Sequence, residues 1–442
     1  MEGTEVAERL EKLLSFEELE AEARAAGALR RQVKKLHPVR MLEAMLCTRG
    51  HRDGRLSAAL WHLEDNYGIK VNRSSFYQRL TEGYGRFVHQ VTERVLALQV
   101  ARMHPELQGR LEAFRDIWAY DSTTVRLRQA LVKHFSSGGH APKAGIKLHA
   151  GMRIRSGALL NPKVTAERVS DQRAIDLGEC CEDVLVLLDR GYSAHGMFAS
   201  ISKQGGLYLT RLKASANPVI SAVRESGMAE VTNAATGKRL DDAIADGDIV
   251  LGTTAVDVDV QLALRKGGTT SARVVGLPRQ NEEGKLETWW YLTNLPPDDY
   301  EPDVIGKLYV LRWQVELLWK QLKSNFRVDE MHVLTEHNVR MVLDLCILGY
   351  VLTLGVIHAC TTPEERPMLS ITMVGLLMDR IARRLADLLE ETNRERRAIM
   401  ASELRDFVLH RGRDPNPKRA RERALNQLQD TKIAPVSRAF PA

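Results

Sequence analysis

Tyr309, Arg312, Glu316, Lys320 and Lys323 are of the types that hold a phosphate and a hard cation side by side. They lie in the stretch Tyr309-Val-Leu-Arg312-Trp-Gln-Val-Glu316-Leu-Leu-Trp-Lys320-Gln-Leu-Lys323, whose periodicity predicts a single helix. At about 100° per residue the five fall within an arc of roughly 80°. Leu308, Leu311, Val315, Leu318 and Leu322 occupy a separate apolar arc, which seats such a helix on a core. Three cations suit phosphate, and one carboxylate among them suits a hard metal ion beside that phosphate. The plain alternative is a solvated charged face, and the nearly uniform sign of the charge weighs against it.

Two further carboxylates end strand-like runs. Asp121 stands in Trp118-Ala-Tyr-Asp-Ser-Thr-Thr, and Asp189 follows the apolar run Val184-Leu-Val-Leu-Leu188 and precedes Arg190-Gly-Tyr. An Asp at the end of an apolar strand stands at the rim of a sheet, where neighbouring strands bring two such groups together. They repel one another unless cations lie between them. Alone, each Asp reads as a turn or capping residue; with Glu316 they predict a site for two Mg²⁺ ions. Hard oxygen ligands favour Mg²⁺, with Mn²⁺ as substitute, over zinc. One metal would acidify an attacking water or 3′-hydroxyl, and the other would stabilise the leaving oxygen of an in-line displacement at phosphorus. No His or Cys is needed there, and His140 and His149 are assigned no role.

The elements that must position these groups can be read from changes of period. Residues 5 to about 110 read as helices, with a capping box at Ser15-Phe-Glu-Glu18. Within them, Ser57 to Asn66 ends at Tyr67-Gly68, and a second short helix starts at Asn72-Arg-Ser-Ser75 and carries Tyr77, Gln78 and Arg79. That pair fits a helix-turn-helix, and equally an ordinary bundle. From Ile117 the period becomes strand-like: Ile117 to Val125, Ala144 to Ile154 and Leu159 to Glu167, then a helix from Asp171 to Glu182 and the buried strand before Asp189. A helix (Ala194 to Lys203) and a strand (Leu207 to Leu212) follow. This is the opening of a ribonuclease H-like α/β fold, an antiparallel hairpin leading into a parallel crossover. Asp248 to Leu251, Val256 to Leu262, Ala272 to Gly276 and Trp289 to Leu292 read as short strands of an insertion.

The spacing Y-x2-R-x3-E-x6-K, preceded by Asp121-Ser122-Thr123 and Asp189-Arg190-Gly191-Tyr192, resembles the signature of the insertion-sequence-four family of bacterial DDE transposases. The resemblance covers residues from about 115 to 330, and the two ends only in general character. It implies that Asp121, Asp189 and Glu316 are the catalytic, metal-binding triad. It further implies DNA contacts by Tyr309, Arg312, Lys320, Lys323 and Arg190, and stacking on a flipped base by Trp289, with Trp290 competing for that role. Cut-and-paste transposition at terminal inverted repeats, commonly through a hairpin intermediate, by a homodimer on double-stranded DNA is the implied activity. The expected organisation is a helical DNA-binding region (1–112), a ribonuclease H-like core in two parts (113–213 and 301–375) around a β-rich insertion (214–300), and a helical basic tail (376–442). Two other classes stay open: a related metal-dependent nuclease without strand transfer, and a non-catalytic repressor derived from a transposase.

Bulk properties agree with that reading without requiring it. With 442 residues, two to four domains are expected. Net charge is +6 and the isoelectric point near 9.0, which permits a polyanion partner. The segment from Arg411 to Arg423 sets six Lys or Arg against Asp414 and Glu422. Five cysteines (Cys47, Cys180, Cys181, Cys346, Cys360) lack zinc spacing and are odd in number, so reduced cytosol is expected, and the family resemblance implies a bacterial, nucleoid-associated setting. The apolar run Leu345 to Cys360 falls short of the roughly 20 residues that cross a bilayer, and is expected to be a buried core helix.

Overall fold

The computed structural model describes residues 1–31, 36–48, 56–101, 113–140, 142–154, 159–174, 181–224, 232–280, 285–329, 331, 333, 335–362 and 364–416. Six helices come first: α1 (Gly3–Glu11), α2 (Phe16–Ala25), α3 (Pro38–Thr48), α4 (Ala58–Tyr67), α5 (Arg73–Arg79) and α6 (Glu82–Ala101). Local chemistry sets their ends. Ser15 caps α2 by accepting from the Glu18 N–H at 3.3 Å, and Asn72 caps α5 by accepting from Ser75 at 2.7 Å. Gly68 closes α4 with a left-handed φ of 63° that a side chain would resist. The short helices read around that turn are therefore present.

The centre of the chain is one mixed sheet of nine strands. Its first half contains β1 (Asp116–Arg126), β2 (Gly145–Arg153), β3 (Leu159–Ala166), β4 (Val184–Leu188) and β5 (Leu207–Arg211), with α7 (Asp171–Ala174) and α8 (His195–Lys203) between strands. Residues 175–180 of the helix expected from Asp171 to Glu182, Cys180 among them, lie outside the described residues. Strands β1, β2 and β3 run antiparallel in sequence, while β4 lies parallel to both β1 and β5. Flanked on both sides, β4 is buried at all five positions, which is why its sequence shows no polar alternation.

The expected insertion is longer in structure than in pattern. It holds β6 (Val219–Val223), α9 (Leu240–Ala245), β7 (Val256–Ala263), β8 (Thr269–Gln280) and β9 (Leu286–Thr293). Its strands continue the same sheet, because β9 pairs antiparallel with β5, giving the order β3-β2-β1-β4-β5-β9-β8-β7-β6. Asp248 to Leu251 is not a strand. It follows a turn at Gly247, whose φ is 79°, and Val250 and Leu251 stand exposed outside the strands of the described residues.

The remaining helices are α10 (Pro302–Val310), α11 (Trp313–Ser324), α12 (Glu336–Cys360), α13 (Ile371–Leu376), α14 (Met378–Glu390) and α15 (Arg394–Arg411). Helix α12 is longer than the apolar run that announced it and meets the length of a membrane span, but 94% of its apolar window is buried inside the protein. It packs on α6 and also meets α1, α3, α11, α13 and α15, while α1 lies on α15 and α3 on α14. Both ends of the chain thus share one helical layer. Alternation along the strands divides the interior in two. Ile117, Ala119, Leu185 and Leu187 face the helical layer, whereas Trp118, Tyr120, Val186 and Leu188 face α8 and the insertion. Beyond Asn416 the expected basic tail lies outside the described residues.

Candidate active site

Strand register brings the two aspartates together. Tyr120 pairs with Leu188 across the parallel β1–β4 ladder, so Asp121 and Asp189 come next at the same end of adjacent strands. Asp121 remains in β1, opposite Ala150 of β2. Asp189 leaves β4 and caps the tight turn that follows, its Oδ2 accepting from the Gly191 N–H at 3.4 Å. Helix α11 lies against β1 and β2, with Val315, Leu318 and Leu322 buried, and carries a half-buried Glu316 whose charge reaches Asp121. Arg312 donates to Glu316 Oε1 at 2.5 Å, and their side chains are 13% and 34% exposed, so the pair is half-sequestered at the cleft.

Electrostatics tie these groups into one site. Burial pushes the Asp121 carboxyl up to about 6; the Ser122 backbone N–H and the Arg312 charge oppose that shift, and the charges of Asp189 and Glu316 add to it. Asp121 is thus short of positive charge even beside Arg312. Three carboxylates near enough to act on one another's charge, one of them reluctant to ionise, offer hard oxygens of the kind that hold a divalent cation. Asp121, Asp189 and Glu316 are the residues that would hold it.

The expected single helix from Tyr309 to Lys323 is two helices. Between α10 and α11 the bonds are of the tighter i→i+3 kind: Leu311 to Leu308 at 3.2 Å, Arg312 to Tyr309 at 3.0 Å and Gln314 to Leu311 at 3.1 Å. Such a turn advances about 120° per residue, so positions before it leave the stripe computed for a continuous helix. Tyr309 is displaced most. Its ring is buried edge-on to Tyr291, its hydroxyl donates to the Leu188 carbonyl at 3.4 Å, and burial pushes its phenol up to about 12. It braces the strand end that delivers Asp189. Lys320 is exposed and Lys323 half-buried on α11. The break leaves Val310 and Trp313 68% and 59% exposed beside the cleft, and neither had been singled out from sequence.

The two tryptophans face opposite ways from β9. Trp290 lies on Gly276 so closely that a Cβ there would come within 2.6 Å of the indole, and it packs into the insertion's core. Trp289 is held between guanidinium groups: Arg211 and Arg279 each lie 4.0 Å from its ring centroid, and two such groups fit only on opposite faces. Arg211 also lies 5.6 Å from the Tyr291 centroid, and Arg312 5.5 Å from that of Tyr309. A file of cations and rings thus runs from Arg279 through Trp289, Arg211, Tyr291 and Tyr309 to Arg312. Arg211 and Arg279 were missed in sequence because lone arginines on strands carry no periodic signal. Arg190 is exposed at the rim. His149 is buried behind the site, where burial lowers it to about 4, and His140 is exposed.

Residues 112–352 match the family described as the transposase DDE domain. Among curated proteins the chain is 22% identical over 305 residues to the transposase for insertion sequence element IS231F of Bacillus thuringiensis subsp. israelensis, covering 62% of this chain and 63% of that protein. It is 23% identical over 256 residues to the transposase for IS231E of Bacillus thuringiensis subsp. finitimus, covering 49% and 51%. A putative transposase for IS4SA of Synechocystis sp. is 31% identical over 86 residues, which is 18% of this chain and 24% of the relative. The alignments therefore span less than two thirds of each of these relatives' lengths. The family match covers more than half of the chain and includes Asp121, Asp189 and Glu316, so the chain belongs to the transposase DDE domain family.

Proposed function

We propose that the chain is a cut-and-paste DNA transposase with a ribonuclease H-like core, acting on the terminal inverted repeats of an insertion sequence. The observation that carries this is the meeting of Asp121 and Asp189 at one end of adjacent parallel strands, within electrostatic reach of Glu316 and Arg312. The strand order β3-β2-β1-β4-β5, with its antiparallel hairpin and parallel crossovers, supports the core assignment. The division at 112, 213, 300 and 375 remains our proposal for the domain boundaries, with both helical ends sharing one layer.

In this reading Asp121, Asp189 and Glu316 hold two Mg²⁺ ions, which Mn²⁺ can replace. When bound, they supply Lewis acidity at phosphorus and an acidified water or 3′-hydroxyl. The protein does the rest by orientation. Tyr309 fixes the Leu188 carbonyl and so the exit of Asp189. The Nε atoms of Arg312 and Arg211 are buried without a hydrogen-bond partner, and they suit phosphate oxygens of a DNA strand laid in the cleft. Lys320, Lys323 and Arg190 add charge along its path. Trp289 receives a flipped base in a hairpin step only if Arg279, which is exposed, swings off its ring. Two ends must be cut and joined together, so we assign a homodimer on DNA.

The test is cleavage of a fragment bearing the element's ends with Mg²⁺, Mn²⁺ or EDTA, comparing wild type with Asp121→Asn, Asp189→Asn and Glu316→Gln. Metal-dependent cuts lost in all three variants, followed by joining, are expected. Cuts without joining would indicate a nuclease, and binding without cuts a repressor.

A further inference from the structure

Asp171, which the chemistry above does not use, lies between the segment of β1 that carries Asp121 and the turn that follows Asp189. It opens α7, and its Oδ1 accepts from Ser122 Oγ at 3.0 Å and lies 3.1 Å from Lys147 Nζ. His149 Nδ1 is 3.6 Å from the same oxygen. Ser122 follows Asp121 on β1, and His149 stands directly across from Ser122 on β2. On the other side is Gly191, two residues past Asp189. A Cβ on Gly191 would come 2.8 Å from Asp171 Oδ2, while the Gly191 N–H donates to Asp189 Oδ2. The backbone at Gly191 is not left-handed, so glycine serves there for space and not for conformation, and a side chain would displace the Asp171 carboxylate. The cluster is walled by Tyr192, whose hydroxyl lies 3.4 Å from His149 Nδ1, and by Thr165, whose hydroxyl lies 2.9 Å from His149 Nε2.

One carboxylate therefore touches the residue after Asp121 and fills the space beside the residue that Asp189 caps. Its own charge is matched by Lys147, whose side chain is 17% exposed against 21% for Asp171. We propose that Asp171 is a positioning residue which, by clamping Ser122 and abutting Gly191, fixes the separation of Asp121 and Asp189, and that it is not itself a metal ligand. The inference rests on the reading of Asp121 and Asp189 as holders of divalent cations. Groups that orient ligands from behind are expected to change affinity, whereas a ligand's loss changes how many ions bind.

The experiment is a Mn²⁺ titration of the full chain followed by electron paramagnetic resonance, which reports the number of ions bound and their affinity without turnover. Asp171→Ala should keep the number of ions and weaken affinity about tenfold. Asp171→Asn, which keeps an acceptor for Ser122 but loses the Lys147 pair, should fall between it and wild type. If Asp171→Ala does not fold, Ser122→Ala, which removes only the clamp's hydroxyl, should still weaken affinity measurably. Wild-type affinity in these variants, with or without a lowered melting temperature, overturns the positioning role. Loss of one bound ion in Asp171→Ala makes it a ligand and overturns it as well. If wild type binds no Mn²⁺, or if Asp121→Asn and Asp189→Asn bind it unchanged, the metal reading itself fails and the inference falls with it.

Discussion

Two groups of side chains of metal-ligand type among the described residues differ in what surrounds them. In the helical layer, Glu43 and Cys47 of α3 meet His62 of α4 with their ligand atoms all within 4.8 Å. There Glu43 is already satisfied: it accepts from Arg40 at 3.0 Å and from the Tyr67 hydroxyl, and Arg40 lies 4.5 Å from the Tyr67 ring centroid. Burial would raise Glu43, but the nearby His62, the hydrogen bonds from Tyr67 and Arg40 and the Arg40 charge outweigh it, and the carboxyl ends below its ordinary value. At the sheet edge the balance is reversed, and burial with two neighbouring carboxylates leaves Asp121 above its ordinary value despite Arg312. Closeness of ligand types does not by itself make a metal site. Unmatched negative charge does, because a divalent cation then relieves a cost already present in the fold.

The sharpest way to break this comparison is to remove one charge from each cluster. Glu316→Gln should keep binding to end DNA and lower cleavage by about a thousandfold or more, the scale of losing a group that acts on the transition state. Its effect on stability should be small, because the Arg312 pair is partly open to solvent. Normal cutting by this variant would remove Glu316 from the site.

A second test uses the proton as a competitor. The folded-state pKa of Asp121, about 6, lies above its ordinary value, so the metal-free protein is favoured by protonation at low pH and that advantage fades as pH rises through 6. A divalent cation must displace this proton. Mn²⁺ affinity should therefore fall about tenfold per unit below pH 6 and level off above it. Asp121→Asn should flatten the dependence, and a wild-type profile already flat from pH 5 to 7 would argue that Asp121 is not buried among like charges.

How much of this was legible beforehand follows from the range of the signals. The strands that carry Asp121 and lead to Asp189 were readable because apolar runs are local in sequence, and β1 and β4 fall where the pattern put them, but β1 runs on to Arg126, so Asp121 lies within its strand and does not end it as expected. The α10–α11 break was not, since a tight turn at Leu311 and Arg312 uses helix-compatible residues with no Gly or Pro to announce it. Only its consequence, Tyr309 turned onto Leu188, shows why the stripe had to break. Partnerships made between distant segments were equally hidden: Asp171 with Ser122, Arg279 with Trp289, α1 with α15. The run at Asp248 imitated a strand because alternation cannot say whether a partner strand is there.

Glu43→Gln should act in the opposite sense to Glu316→Gln, leaving cleavage unchanged and costing about 2 kcal/mol of stability in denaturant unfolding. Its partner Arg40, 18% exposed, would lose one carboxylate and keep Glu390. A loss of activity at matched stability would mean that the helical layer takes part in the chemistry.

The smallest expected effect is the response of that layer to zinc. Binding there would require Cys47 to lose a proton that burial and the nearby Glu43 charge hold well above the usual thiol range. Zinc would also have to take Glu43 from Arg40 and Tyr67, leaving a half-buried cation beside a new dication. Neither cost is repaid by a fourth donor among the clustered residues, so adding Zn²⁺ or EDTA at neutral pH should move the melting temperature by less than about 1 °C. Cys47→Ala should likewise leave cleavage untouched and cost about 1 kcal/mol, the loss of a small buried apolar group. A zinc-dependent rise in melting temperature that disappears in Cys47→Ala would reverse the comparison, since close packing of ligand types would then outweigh their being already paired.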